Sequence, residues 1–207
     1  MANTNAPRGF SPVSNNAGNP WNEQATLYYI PSSDTNAYYI GDAVKSAAGA
    51  DANGVSQVAK ITSGNEATTA IRGIIVGVRV ADPGVSLQGK TLDLASLAVP
   101  ATKARDYYVY VVDDPAVIFE IQDDGTTFPT SAAACANKNV SYNVAAPSGI
   151  SPLSASTLAA STAATTNTLP LKIMGFVQRV DNDMSSAYRK VLVKINNHEL
   201  QGGIAGV

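Results

Sequence analysis

Residues 106–125 read DYYVYVVDDPAVIFEIQDDG, two apolar runs that each end in a pair of aspartates. Tyr, Val, Ile and Phe suit a pleated, half-buried strand, whereas Asp, Pro and Gly end one. Pro115 fixes φ and offers no N–H, so the first run stops at Asp113-Asp114. In the second run Val117, Phe119 and Ile121 share one face, and Ile118, Glu120 and Gln122 the other, because side chains alternate along a strand. The stretch predicts strand–turn–strand. It also raises a chemical question, because Asp113, Asp114, Glu120, Asp123 and Asp124 crowd together in the chain. If the strands pair antiparallel, the two aspartate pairs stand at opposite ends, roughly 20–25 Å apart at ~3.3 Å per residue. A catalytic carboxylate pair needs about 5–10 Å. The acidic residues therefore read as turn markers, with a weak calcium site at one loop as the alternative.

The same punctuation recurs along the chain from Ala25. ATLYYI, AYYIGDAV, SQVAKITS, AIRGIIVGVRVA, TLDLASLAV, VSYNV, LPLKIMGFVQRV and RKVLVKIN are Val-, Ile- and Tyr-rich runs bounded by Asp, Asn, Gly and Pro. DPGV at 82–85 reads as a turn, and Leu92–Leu97 is the only helical candidate. Strands at this spacing predict an all-β fold, a single sandwich, barrel or jelly-roll-like domain over residues 25–207. No internal repeat stands out. LKIMGFVQRV and RKVLVKIN read as a hairpin with a long tip. Residues 151–168, SPLSASTLAASTAATTNT, hold few large apolar side chains and read as a surface loop or edge strand. Residues 1–24 read as an extended arm. Pro7, Pro12 and Pro20 block regular pairing, Phe10 and Trp21 are the only large apolar side chains, and a partner chain is expected to hold the segment.

Composition narrows the function. The 207 residues include 45% hydrophobic but only 14% charged residues, and the net charge is −2. A surface built from Ser, Thr, Asn and Gln has little charge to keep copies apart, which suits a component of a larger assembly. No Lys/Arg cluster exists to bind phosphates, so no nucleic-acid partner is expected. No apolar run is long enough for a membrane helix. The opening MANTNAPRGFSPV lacks a basic start and an apolar stretch, so synthesis in the cytoplasm without a secretory leader is expected. Cys135 is the only cysteine.

Templates for catalysis fail on residue type. His198, the only histidine, lies in the polar INNHEL and reads as a surface residue, and no GxSxG elbow accompanies it. One His and one Cys do not make a zinc site. GADANGVS (49–56) has phosphate-loop glycine spacing, but Val55 stands where the Lys is needed. DNDMSSAYRKVL (181–192) begins like a calcium loop, but has Ser186 at the glycine position and Leu192 at the closing Glu. No catalytic residue, metal or cofactor is expected. The tyrosines are more telling. Tyr28-Tyr29, Tyr38-Tyr39 and Tyr107-Tyr108 with Tyr110 place one ring inward and one outward within each pair. Tyr29, Tyr39, Tyr108 and Tyr110 are the candidates for outward self-contacts, since tyrosine on a weakly charged β surface is a good contact residue.

The order MANTNAPRGFSPV…GNPW, YYIGDAVK, YVVDDPAVIFEIQDDG resembles the head decoration, or structural cement, proteins of tailed bacteriophages, across most of residues 1–125. VDDPAVIFEIQ is its most specific part, and the Ser/Ala/Thr-rich segment has no place in the pattern. The resemblance implies a non-enzymatic virion protein on the capsid exterior. It implies a dimer or trimer at local symmetry axes that clamps neighbouring subunits of the major capsid protein. Arg8, Phe10, Pro12 and Trp21 of the arm are then the expected capsid contacts. Two other readings stand beside it: a tail or baseplate structural protein, and a carbohydrate-binding or hydrolytic β-domain with a groove of Tyr, Trp and carboxylates.

Overall fold

The strands on either side of Asp113-Asp114-Pro115 do not pair with each other. In the computed structural model, which describes residues 2–80, 98–147 and 153–201, they belong to different sheets. The turn read at 82–85, the helix at 92–97 and the Gly-rich end from 202 lie outside the described residues. The strands are β1 (Ser11–Asn15), β2 (Thr26–Ile30), β3 (Tyr38–Tyr39), β4 (Ala43–Ala50), β5 (Ser56–Lys60), β6 (Gly73–Val80) and β7 (Ala98–Val99). They continue with β8 (Tyr107–Val112), β9 (Val117–Gln122), β10 (Asn139–Asn143), β11 (Thr157–Ala164), β12 (Leu171–Phe176) and β13 (Lys190–Ile195). Among the described residues the one helical element is a 3-10 turn at Ala132–Cys135. The all-β expectation holds.

Strands β2-β5-β4-β6-β8 close into a barrel, and β3 pairs with β7 beside it. Its interior holds Tyr28, Ile30, Val44, Val58, Ile75, Val78, Val109 and Val111. The remaining strands form a six-stranded sheet in the order β1-β9-β13-β12-β10-β11. That sheet curls until its edge strand β11 meets β9 at a parallel bridge, Asp123 to Leu158. Phe119, Ile121, Val140, Tyr142, Leu158, Ile173, Val191 and Val193 fill it. The same apolar cluster continues into Ala43, Ile61, Ile71, Ile74 and Val112 of the first half, so apolar packing joins the two halves. Burial of that surface is the dominant force holding them together.

The two halves repeat one topology, contrary to the sequence reading. Strand for strand, β2, β4, β5, β6 and β8 correspond to β9, β10, β11, β12 and β13. Each set is antiparallel throughout except for one parallel closure, β2 with β5 and β9 with β11. The registers also agree. Val44 faces Gly73 as Val140 faces Leu171, and Ser46 faces Val58 as Tyr142 faces Leu158. A bulge precedes Gly77 in β6, opposite Val111 and Tyr110, and another precedes Gly175 in β12, opposite Val193 and Leu192. The turns match as well. The amide of Gly41 donates to Ile75 and that of Asn137 to Ile173, while Ile75 and Ile173 donate back to Asp42 and Lys138. Gly41 and Asn137 both take positive φ, 91° and 69°. Thr26, Tyr28 and Ile30 thereby correspond to Phe119, Ile121 and Asp123.

The N-terminal arm is part of this body. β1 lies antiparallel on β9, with Ser11 opposite Glu120 and Asn15 opposite Val117. The chain then turns back at Gly18, and Trp21 donates to the Val13 carbonyl. Residues 157–164 form the edge strand that the sequence reading allowed for. They also bury Leu158, Ala160 and Ala163 in the core, which the count of large side chains did not suggest, because alanine fills the tight space beneath a curled sheet.

Candidate interaction surfaces

Phe10 was expected to face a capsid; it faces its own core. It is 1% exposed and meets Phe119 and Tyr142 edge-on, with ring centroids 6.3 and 5.3 Å away. A phenyl ring sheltered on every side cannot anchor a partner, so Phe10 is withdrawn as a capsid contact. Its amide donates to the Gly41 carbonyl at 3.0 Å. Gly9 makes that approach possible, because a Cβ on it would lie 2.5 Å from the Gly41 oxygen. The partner that holds the arm is therefore this chain. Asn3 bonds the backbone of Asp183 and Ala187, and Asn5 and Ala6 bond the Gln122 side chain. Pro12 is half-buried and Trp21 packs partly against the core, whereas Arg8 is exposed.

Arg8 stands at a cleft of about 590 Å³ between the arm and β9. The other charges there pair among themselves. Arg179 contacts Glu120 at 3.1 Å and Asp181 at 3.2 Å, and Lys190 contacts Asp181 at 2.5 Å. Asp183, at the tip beyond, is held down at about 2 because the Ser185 hydroxyl, the Ser185 amide and the Ser186 hydroxyl all donate to it.

The tyrosine pairs divide as alternation requires in two cases. Tyr28 and Tyr38 are buried, while Tyr29 and Tyr39 are half-buried. Tyr110 is also half-buried. Tyr108 departs from the expectation. It lies outside the barrel core but is only 6% exposed. Tyr29 leans on it at 5.7 Å between ring centroids, and its hydroxyl donates to Asp51 at 2.5 Å. Burial, then that bond to a carboxylate, pushes its pKa up. Tyr108 is thus a poor self-contact, because the turn that carries Asp51 covers it. That turn is the stretch with phosphate-loop spacing. Its Asp51 carboxylate takes the amides of Asn53 and Val55, which makes it a closed Asx turn.

The five clustered carboxylates serve five local tasks. Asp113 accepts from Thr26 at 2.9 Å and Tyr28 at 2.7 Å and pairs with Arg72 at 3.3 Å. Arg72 also donates to the Tyr28 hydroxyl at 2.7 Å. Burial, together with the bond to Asp113, pushes Tyr28 up to about 12. Asp114 accepts from Ala116, Glu120 pairs with Arg179, and Asp124 accepts from Thr126. Asp123 is fully buried against Arg189 at 2.6 Å. Burial raises its carboxyl, against the pull of Arg189. Among the described residues no group of three His, Cys, Asp or Glu side chains is placed to hold a metal ion.

His198 is not the surface residue that its polar neighbours suggested. It is 3% exposed, and its backbone bridges Ile71, just before β6 in the first half. Nδ1 accepts from the Leu200 amide at 3.0 Å, which puts the ring proton on Nε2, and Nε2 has no partner among the described residues. Burial, and then Arg72, lowers its pKa. The next residue, Glu199, accepts from the Ser46 amide and hydroxyl. Sequence reasoning missed this tail clasp entirely, because INNHEL has neither strand alternation nor apolar weight. In comparisons with known proteins, no family model, no curated protein and no solved structure matches this chain.

Proposed function

We propose that the protein is a non-enzymatic virion component that binds the outside of a phage capsid and braces neighbouring subunits of the major capsid protein. The observation that carries this reading is what its most distinctive motifs do. YYIGDAVK supplies the Gly41 carbonyl that receives the arm, and VDDPAVIFEIQ supplies the passage from one barrel to the other and the strand that receives β1. These motifs encode the joints between the barrel and the curled six-stranded sheet, and a brace between subunits needs its parts held together. The weakly charged surface, with 14% charged residues, fits contact with many identical neighbours, where modest contacts repeated over a shell give avidity. A protein that binds only the assembled shell stabilises it by mass action.

Within this reading Arg8, Pro12 and Trp21 remain the capsid contacts and Tyr29, Tyr39 and Tyr110 the self-contacts, since Phe10 and Tyr108 are covered. The test is co-sedimentation with expanded capsids that lack the protein. Saturable pelleting at a copy number set by the shell symmetry is expected, with at least tenfold weaker binding for Arg8→Glu. A full chain that stays in the supernatant refutes the capsid role.

A further inference from the structure

The repeat has an edge that a strand covers in the second half and that, among the described residues, no strand covers in the first. In the second half, β11 reaches β9 only at Asp123, and β1 covers the rest of that edge, Val117 to Glu120. In the first half, β5 reaches β2 only at Tyr29. The residues equivalent to Val117–Glu120 are Gln24, Ala25, Thr26 and Leu27. Among the described residues no strand pairs with them on the side away from β8. Ala25 and Leu27 are half-buried and Thr26 is exposed. Among the described residues there are thus two equivalent acceptor edges and one donor strand, and β1 could fill the open edge only by vacating the other.

The chemistry around the vacant edge selects a different occupant from Phe10. Phe10 is clasped by Phe119 and Tyr142, whose equivalents here are Thr26 and Ser46. Thr26 donates to Asp113 and Ser46 to Glu199, so the aromatic clasp is replaced by hydroxyls backed by carboxylates. Arg72 there is already engaged by Asp113 and by the Tyr28 hydroxyl, and burial, then Arg72, lowers the His198 pKa while Asp113, Glu199 and Asp114 raise it. His198 adds a buried polar atom, Nε2, without a partner among the described residues.

We propose that the edge Gln24–Leu27 is a strand-acceptor site for an extended segment of a different protein. The segment lies antiparallel to β2 as β1 lies on β9, and carries Lys or Arg where β1 carries Phe10. Backbone bonds to the edge supply affinity, and the carboxylates choose the side chain. The site stands independently of the capsid reading, and either can fail alone.

The probe is a synthetic peptide of residues Arg8–Asn16 bearing Phe10→Lys, with the unchanged peptide beside it, added to the full chain. Hydrogen exchange is read amide by amide. The Lys peptide is expected to slow exchange within Gln24–Leu27 at least tenfold and leave Val117–Glu120 unchanged. The Phe peptide is expected to bind several-fold more weakly, and Glu199→Gln to erase most of that difference. No protection at Gln24–Leu27 at millimolar peptide overturns the proposal, as does an effect confined to Val117–Glu120, which is mere displacement of β1. Equal binding of the two peptides overturns the basic character of the occupant.

Discussion

Gly41 and Asn137 occupy the same position in the two barrels, and the demands on them differ. Both take the left-handed backbone that lets the chain turn into the following strand, at φ 91° and 69°. Asparagine tolerates that region and glycine is free in it. Only Gly41 also receives the arm, and a Cβ there would lie 2.5 Å from the Arg8 carbonyl. Asn137→Gly is therefore expected to change stability by less than about 1 kcal/mol. Gly41→Asn, chemically the same exchange reversed, is expected to cost about 2–4 kcal/mol, from overpacking and the pried-off arm. Urea denaturation of both variants checks this, and equal effects would refute the account of the arm contact. Asp183 acts at the same scale. Its carboxylate holds the loop whose backbone binds Asn3, with a folded pKa of about 2, below the ordinary range. Such a group adds stability that is complete above the unfolded value near ~4 and is lost as pH falls through the folded one. The amides around Asn3 should hold their exchange protection from neutral pH down to about pH 4 and lose it between there and pH 2. In Asp183→Asn that acid-dependent loss should vanish.

At the scale of elements, the repeat supplies its own controls for the buried ion pair. Asp123 has no side-chain exposure and meets Arg189 at 2.6 Å between β9 and the start of β13. The equivalent pair in the first barrel is Ile30 and Tyr107, so the same architecture stands without charge. Arg189→Ala leaves a buried carboxylate without its cation and is expected to cost about 3–5 kcal/mol. Asp123→Ile with Arg189→Tyr should recover at least half of that loss, measured by thermal or urea unfolding. If the double variant is no better than the single one, the pair does more than fill space. Most strands were legible in the sequence, because period-2 runs such as TLYYI and VIFEIQ bury alternate residues whatever sheet they join. Which strands pair was not legible. DDP reads as a hairpin turn, but it carries the chain between sheets, and nothing in Asp113–Pro115 sets the partner of β8. β1 was missed because Pro12 argues against a strand. It survives as a bulged edge strand held by one buried ring, Phe10, whose burial depends on Phe119 and Tyr142 far along the chain.

At the scale of the whole molecule, the sequence hides the repeat because little of it is stored in residue identity. Val44 and Val140, Ile75 and Ile173, and Gly77 and Gly175 agree at nearly equal spacing, but the connection from β6 to β8 is much longer than that from β12 to β13. Equivalent places hold Tyr28 against Ile121, and exposed Ser46 against buried Tyr142. Register and turn hydrogen bonds carry the likeness, and both are properties of the backbone. The halves are also not equally self-sufficient. The first closes as a barrel, whereas the second meets itself at one bridge and takes both a strand and a core ring from the arm. The N-terminal arm ties Phe10 to Gly41, and the C-terminal tail ties His198 to Ile71, so each end of the chain also crosses between halves. Such crossings and the shared apolar cluster make the intact chain unfold as one cooperative unit, seen as a single urea transition. Removing residues 2–15 takes Phe10 out of the second core and uncovers β9, and leaves every strand of the first barrel in place. That truncation is expected to split unfolding into two steps. Amides of β9, β12 and β13 should exchange at lower denaturant than those of β2, β6 and β8. If the shortened chain still unfolds in one step with both halves exchanging together, the interface alone couples them, and the arm is an ornament on the second barrel rather than part of its core.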